Sequence, residues 1–368
     1  MKVLFVNSVC GIRSTGRIVT DLADDFIEKG HECMMAYGRE SVPEKYRSVS
    51  YRIGTQTDVK INALKARILD NEGFNAKKQT EKFIEWANNY NPDMLWLHNL
   101  HGYYINIEIL FEWIKSRPDM QVRWTLHDCW PFTGHCAHFS YAKCDSWKTK
   151  CNNCSLTGEY PKSFFKDNSC GNFYRKKKAF CGVKDMTLIT PSFWLADLVK
   201  ESFLKDYSVE VKHNTINKSV FKPTSGDFRK DYNIMDKKIV LGVASAWSER
   251  KGINDFVKLS QILDGSYKVV LVGVDDTIRK KLPSEIVCVP STNSARELAE
   301  IYTTANVFVN LTYEDNYPMV NLEAQACGTP CVTYRTGGSA ESVPTQNVIE
   351  QGDINCLVRK IQQICMVK

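Results

Sequence analysis

The sequence predicts an α/β protein built from two Rossmann-like domains with parallel sheets. Three observations lead there. Short apolar runs of strand length alternate with helix-length amphipathic stretches from one end of the chain to the other. The 368 residues are too many for one ordinary domain and suit two. A polar, irregular segment over 214–236, with Pro223 and Gly226, reads as a linker and divides the series into residues 1–213 and 214–368. In such a pair, ligands are expected in a central cleft where the carboxyl ends of both sheets face each other.

The opening unit sets the pattern. Residues 2–7 form an apolar strand, and a glycine-bearing loop runs from Gly11 to Gly16. A helix is expected from near Arg17 to Gly30, capped by Ser14 or Thr15, with Ile18, Val19, Leu22, Ala23, Phe26 and Ile27 on one face. Further strands are predicted at 32–37, 94–98, 122–127 and 186–191, with helices near 75–89, 104–116 and 193–204. The second series has strands at 239–244, 267–272, 285–289, 306–310 and 330–334, and a helix over 252–263. There is no internal repeat and no low-complexity tract.

Composition excludes several classes. An apolar fraction of 43% with 24% charged residues lets each half bury its own core. The 48 basic and 42 acidic residues leave a net charge of only +6, too small for a nucleic-acid binder. No apolar run approaches the roughly 18 residues of a spanning helix. The short run from Val3 to Val6 reads as a strand and not as a signal peptide, so a cytoplasmic location is expected. Arg175-Lys-Lys-Lys reads as a solvated helix face, with peripheral contact at the inner membrane surface as its second reading.

The most informative stretch runs from Tyr313 to Val332. Pro318 is suited to the first position of a helix, whose N-terminal N–H groups would suit a phosphate. Asp315 precedes that terminus and Glu323 follows it by a turn or more, so two carboxylates flank the helix entry. Asn316, Tyr317, Pro318 and Met319, at the entry itself, are binding candidates. Upstream, Arg250 and Lys251 lie on a loop after the strand 239–244, where fixed cations could stabilise a departing diphosphate. His127 directly follows the run Val122 to Leu126, at the sheet end expected to face the cleft; His98 and His101 flank another strand end.

In these residues the chain resembles the retaining glycosyltransferases of family 4, which have the GT-B fold. The family's mark is a Glu, seven residues, a second Glu and an Ala-x-Ala-x-Gly-x-Pro tail; here Asp315 replaces the first Glu, and Glu323, Ala324, Ala326, Gly328 and Pro330 follow in step. Asn214-Thr-Ile-Asn with Phe221 and Pro223, Pro191-Ser-Phe-Trp, Glu297-Leu-Ala-Glu-Ile-Tyr and Thr336-Gly-Gly-Ser-Ala-Glu keep the family's order. Leu126-His-Asp-Cys-Trp-Pro-Phe-Thr-Gly-His-Cys makes the chain similar to the subgroup that builds bacterial capsular or exopolysaccharide.

The resemblance implies a metal-independent enzyme that moves a sugar from a nucleotide-sugar donor, bound by the second domain, to a saccharide or lipid-linked acceptor, bound by the first. It places Asp315 on hydroxyls of the donor sugar, Glu323 on the ribose, Gly16 near the donor phosphates and His127 near the transferred sugar. A slip of one residue would substitute Glu314 for Asp315. The family has an Arg five residues before the Lys-Gly pair; Ala246 stands there, and Arg250 is the candidate replacement. Many relatives also carry a longer helical tail after the helix starting near Asp353, so looser domain coupling is expected here.

Fourteen cysteines remain to be explained. Cys136, Cys144, Cys151 and Cys154, in a Cys-rich insert over 129–170, are separated by seven, six and two residues. Two readings stand: a structural four-thiolate zinc site giving this loop a core it would otherwise lack, or free thiols. Two other functions compete with glycosyl transfer. A nucleotide-sugar epimerase or sugar phosphorylase shares the two-domain frame; a zinc-ribbon nucleic-acid binder would use the cysteines and the Arg175 run.

Overall fold

The computed structural model describes residues 1–367. The chain divides into two compact units, Met1–His213 and Asn214 onward. In the first, the order is β1 (Lys2–Asn7), α1 (Arg13–Glu28), β2 (Glu32–Tyr37), β3 (Ser50–Arg52), α2 (Gln56–Leu69), α3 (Lys77–Tyr90), β4 (Met94–Leu97), α4 (Ile107–Lys115), β5 (Gln121–Thr125), α5 (Ser169–Phe180), β6 (Met186–Thr190), α6 (Phe193–Glu201) and β7 (Ser208–Val211). The second has α7 (Phe228–Asp231), β8 (Lys238–Val243), α8 (Ile253–Ile262), β9 (Tyr267–Val272), α9 (Asp276–Arg279), β10 (Val287–Val289), α10 (Ala295–Thr304), β11 (Val307–Asn310), α11 (Met319–Ala326), β12 (Cys331–Tyr334), β13 (Val348–Ile349) and α12 (Ile354–Val367).

Each unit holds one sheet. The first has the strand order β3-β2-β1-β4-β5-β6-β7, the second β10-β9-β8-β11-β12-β13, and neighbouring strands pair in parallel in both. This is the doubly wound order, in which the chain reverses direction across the sheet between its first and fourth strands. The switch points therefore lie between β1 and β4, and between β8 and β11. Parallel strands need covering on both faces, and their sequences supply it. Leu4 and Val6 enter one core with α2–α5, while Val3 and Phe5 enter another with α1. In the second unit Val240 packs toward α8 and α12, and Ile239 and Leu241 toward α7 and α10.

Local signals account for most boundaries. Asn106, Ser192 and Ser294 cap α4, α6 and α10 through their side chains. Three expectations are corrected. Helix α1 starts at Arg13 and has Ile12 as its N-cap, so Ser14 and Thr15 lie inside it. The segment 214–236 is no free linker: Phe221, Phe228 and Ile234 are buried in the second unit's core. The Arg175 run is a solvated face only at Lys177 and Lys178. Arg175 pairs with Glu108, and Lys176 is buried over the Trp130 ring, donating to the carbonyls of Trp130 and Thr133. No helix among the described residues is long and apolar enough to cross a membrane.

Candidate active site

In the second unit, the residues singled out from the sequence converge on the β8–β11 switch point. The loop after β8 makes one 3-10 turn at Glu249–Lys251 and ends at Gly252, whose φ is +76°. A Cβ at Gly252 would lie 2.2 Å from the carbonyl oxygen of Leu311, so only glycine lets this loop press against the chain leaving β11. The two loops are then cross-braced. Tyr313 N–H donates to the Arg250 carbonyl at 2.8 Å, and the Arg250 guanidinium donates to the Glu314 carbonyl at 3.2 Å.

This bracing sets Lys251 Nζ 2.6 Å from Asp315 Oδ2, with both side chains about a quarter exposed (26% and 21%). Glu314, the alternative register, has a buried side chain. Arg250 thus stands at the right loop but uses one of its donors to brace Glu314. Pro318 stands immediately before α11, one position earlier than the sequence suggested, and no side chain caps that helix. Its early backbone N–H groups retain donor capacity at the switch point.

Glu323, just over one turn into α11 and 7% exposed, accepts a hydrogen bond of 3.0 Å from the Tyr302 hydroxyl on α10. Burial, and then the Glu323 charge, push the Tyr302 hydroxyl well above its usual range, so it remains a donor. Asn214 donates to the Tyr317 carbonyl, which ties the first motif of the unit to the loop with Asn316 and Tyr317. Asn321 donates to Ser339 and Ser342, fixing the Thr336-Gly-Gly-Ser segment beside α11. Asp255, buried on α8, accepts from both Tyr313 and Tyr334 beneath the same loop. The signal for Tyr302 was visible in the Glu297-Leu-Ala-Glu-Ile-Tyr motif, whereas Asp255 had none.

In the first unit, Gly16 lies in the first turn of α1, where an added Cβ would come within 3.1 Å of Val9. The histidines gather at the carboxyl ends of β4 and β5. His98 Nδ1 and His127 Nε2 are 3.0 Å apart and share one proton. Burial pushes His127 down to about 4 and His98 well below its usual range, so both imidazoles are neutral near pH 7. His101 Nε2 lies 2.8 Å from Asp128 Oδ2, and its Nδ1 lies 2.9 Å from the Tyr160 hydroxyl. Burial would raise the Asp128 carboxyl, but the charge and hydrogen bond of His101 hold it at about 2. Glu72 accepts the backbone N–H groups of Gly102 and Tyr103 in the same loop. Asp128, Glu72 and Tyr160 escaped the sequence reading because long-range folding alone brings them here.

The cysteine insert has an aromatic core. Trp147 packs on Phe139 at 4.8 Å and on Phe132 at 5.3 Å, with Cys136 and Cys151 buried among them. Cys151 Sγ accepts the Gly134 N–H, and a hydrogen bond from Cys136 lowers the Cys154 thiol to about 7. Among the described residues, no group of three or more His, Cys, Asp or Glu side chains is arranged to hold a metal ion. The aromatic rings give the insert a core of its own, whichever of the two readings, four-thiolate site or free thiols, describes Cys136, Cys144, Cys151 and Cys154.

A pair of doubly wound, all-parallel units with convergent loops at the switch points defines the GT-B fold. The solved structure of Anabaena HepE in complex with UDP superposes with a TM-score of 0.66 at 12% identity, covering 100% of this chain and 90% of that one. The family model described as Glycosyl transferases group 1 matches residues 225–366. It is 36% identical over 74 residues to the colanic acid biosynthesis glycosyl transferase WcaC of Escherichia coli K12, covering 19% of this chain and 18% of that protein. It is 30% identical over 120 residues to an N,N'-diacetylbacillosaminyl-diphospho-undecaprenol alpha-1,3-N-acetylgalactosaminyltransferase of Campylobacter jejuni, covering 32% and 31%. These alignments span less than a third of each relative.

Proposed function

We propose that this protein is a retaining, metal-independent glycosyltransferase of the cytoplasm, which passes a sugar from a nucleotide-sugar donor to a saccharide acceptor of a surface polysaccharide. One observation carries the reading: at the β8–β11 switch point a cation, a carboxylate and an uncapped helix N-terminus meet, with Lys251 and Asp315 2.6 Å apart. The family domain over 225–366 and the polysaccharide role in the name of the relative WcaC support it.

In the reaction so read, the acceptor hydroxyl attacks the anomeric carbon from the face the diphosphate leaves. The bond from that carbon to the phosphate oxygen breaks, its electron pair passes to the diphosphate, and the hydroxyl proton follows to the same oxygen. Lys251, Arg250 and the first N–H groups of α11 stabilise the growing charge. Asp315 orients hydroxyls of the donor sugar, and Glu323, held by Tyr302, grips the ribose. Gly16 lets the α1 loop approach the phosphates closely, and neutral His127 borders the transferred sugar.

Thermal-shift titration with nucleoside diphosphates and nucleotide sugars tests donor binding, since a ligand of the folded site must raise the melting temperature. NMR of the product made with a saccharide acceptor then reads its anomeric configuration. Absence of stabilisation by any nucleotide, or an inverted product, would refute the reading. Conversion of the donor without any acceptor would replace it with an epimerase.

A further inference from the structure

Helix α2 is apolar on both faces. Val59, Asn62 and Ala66 face the core, yet Ile61, Leu64 and Ile68 form an outward stripe at i, i+3 and i+7, continued by Leu69. Leu64 is 58% exposed. The cysteine insert adds to this stripe: Phe164 N–H donates to the Arg67 carbonyl at the end of α2, which fixes Phe164 and Phe165 beside it. Phe165 is 80% exposed, the largest exposure among the large apolar side chains of the described residues. Six apolar groups thus share one surface, more than scattered exposed residues would supply.

The exposed charges around this surface are mainly basic; Asp167, next to Lys166, accepts the backbone N–H groups of Cys154 and Ser169. Lys60, Lys65 and Arg67 on α2 and Lys162 and Lys166 on the insert loop are exposed, and none enters an ion pair among the described residues. Arg67 and Lys162 lie over the Phe164 ring at 6.0 and 5.6 Å. Asp58, at the other end of α2, is spent on the Thr55 cap.

We infer that α2 and the Lys162–Lys166 loop form a docking surface for an anionic lipid bilayer. Aliphatic and phenyl groups enter the interface while the ring of lysines meets lipid phosphates. A second copy fits poorly, because a two-fold interface would set the same cations against one another. An acidic protein partner fits less well than lipid, since lysine is depleted in protein interfaces and the apolar groups here project instead of lining a groove.

The surface also adjoins the histidine-lined strand ends. Asn62, on the inner face of α2, donates to the Tyr103 carbonyl, and the Tyr103 ring lies 6.4 Å from that of Tyr160, which bonds His101. Docking would bring those strand ends to the bilayer surface, where the sugar of a lipid-linked acceptor stands. The bilayer contact itself does not depend on the transferase reading.

Co-sedimentation of the whole protein with vesicles tests it. Vesicles of phosphatidylglycerol with phosphatidylethanolamine should bind at least about tenfold more tightly than phosphatidylcholine vesicles, and the difference should shrink with salt. The double variant Phe164→Ser, Phe165→Ser should lose at least about tenfold in binding at an unchanged melting temperature. Lys162→Glu with Lys166→Glu should lose as much, since each cation is worth about fivefold. Lys177→Glu with Lys178→Glu, at the end of α5 that lies against Lys115 and away from α2, should bind as the parent does. Failure of the parent to bind anionic vesicles overturns the inference, as does loss of binding only in the α5 variant. Concentration-dependent dimerisation abolished by the phenylalanine changes, without vesicle binding, would reassign the surface to a second copy.

Discussion

Replacing Lys251 with alanine separates catalysis from stability at a single side chain. The Lys251–Asp315 pair is about a quarter exposed, so water and salt screen it, and its loss should cost no more than about 1 kcal/mol of folding free energy. In a unit of this size that lowers the melting temperature by roughly 2–4 °C. The effect on turnover has a different origin. Lys251 is held in place by Gly252 and by the brace between Arg250 and the Tyr313–Glu314 loop, so in the proposed reaction its charge is in position before charge develops on the leaving group. Removing a preorganised donor of this kind costs on the order of a hundredfold, about 2.7 kcal/mol in activation free energy. Steady-state kinetics beside differential scanning fluorimetry reads both quantities. Near-parental kcat would remove the role; a collapse of the melting temperature in step with kcat would make Lys251 a structural residue.

Three further outcomes follow from the geometry. Asp315→Asn should cut kcat while leaving nucleoside diphosphate affinity nearly unchanged by calorimetry, whereas Glu323→Gln and Tyr302→Phe should weaken nucleotide binding; a silent Asp315→Asn with an impaired Glu314→Gln would move the motif by one residue. His127, held near 4 when folded, takes up a proton near 6.5 when unfolded, so its share of stability is complete above that value and is lost as the pH falls toward 4. At pH 5.5 this amounts to about 1 kcal/mol, and His127→Gln should flatten the melting curve's pH dependence over that window. On the free-thiol reading of the insert, chelator treatment should leave both transfer and melting temperature unchanged, with elemental analysis showing well under one equivalent of zinc; a stoichiometric metal would establish the four-thiolate reading instead.

Much of the frame was legible because buried parallel strands are continuous apolar runs, and each predicted strand matches an observed one within a residue or two. What escaped did so for physical reasons. Helix α2 has no amphipathic signature, since Ile61, Leu64 and Ile68 are as apolar as its buried face. Helix α5 hides its burial inside a basic run, where Lys176 is desolvated and lowered to about 7. The edge strands β3, β7 and β13 have two to four residues each and no run to read. Motif spacing singled out Lys251, Asp315 and Glu323, which the fold brings to the loops around the β8–β11 switch point. The His98–His127 contact joins residues 29 apart and arises only when β4 and β5 pair.

The two switch points share a topology and differ in charge, which bears on where each substrate binds. Beside β8 and β11 stand two cations and a helix start without a side-chain cap, an environment that favours an anion. Beside β4 the loop's N–H groups are already taken: Glu72 accepts those of Gly102 and Tyr103, ionised Asp128 lies next to His101, and the imidazoles of His98 and His127 are neutral. A diphosphate there would meet a carboxylate and, of cations, the Arg39 side chain lying against Gly102, whereas a sugar hydroxyl would find both donors and acceptors. Hydrogen exchange with nucleoside diphosphate alone should therefore protect amides of 311–322 by tenfold or so and leave 98–103 unchanged. Protection confined to 98–103 would place the anion in the first unit and reverse the assignment of donor and acceptor.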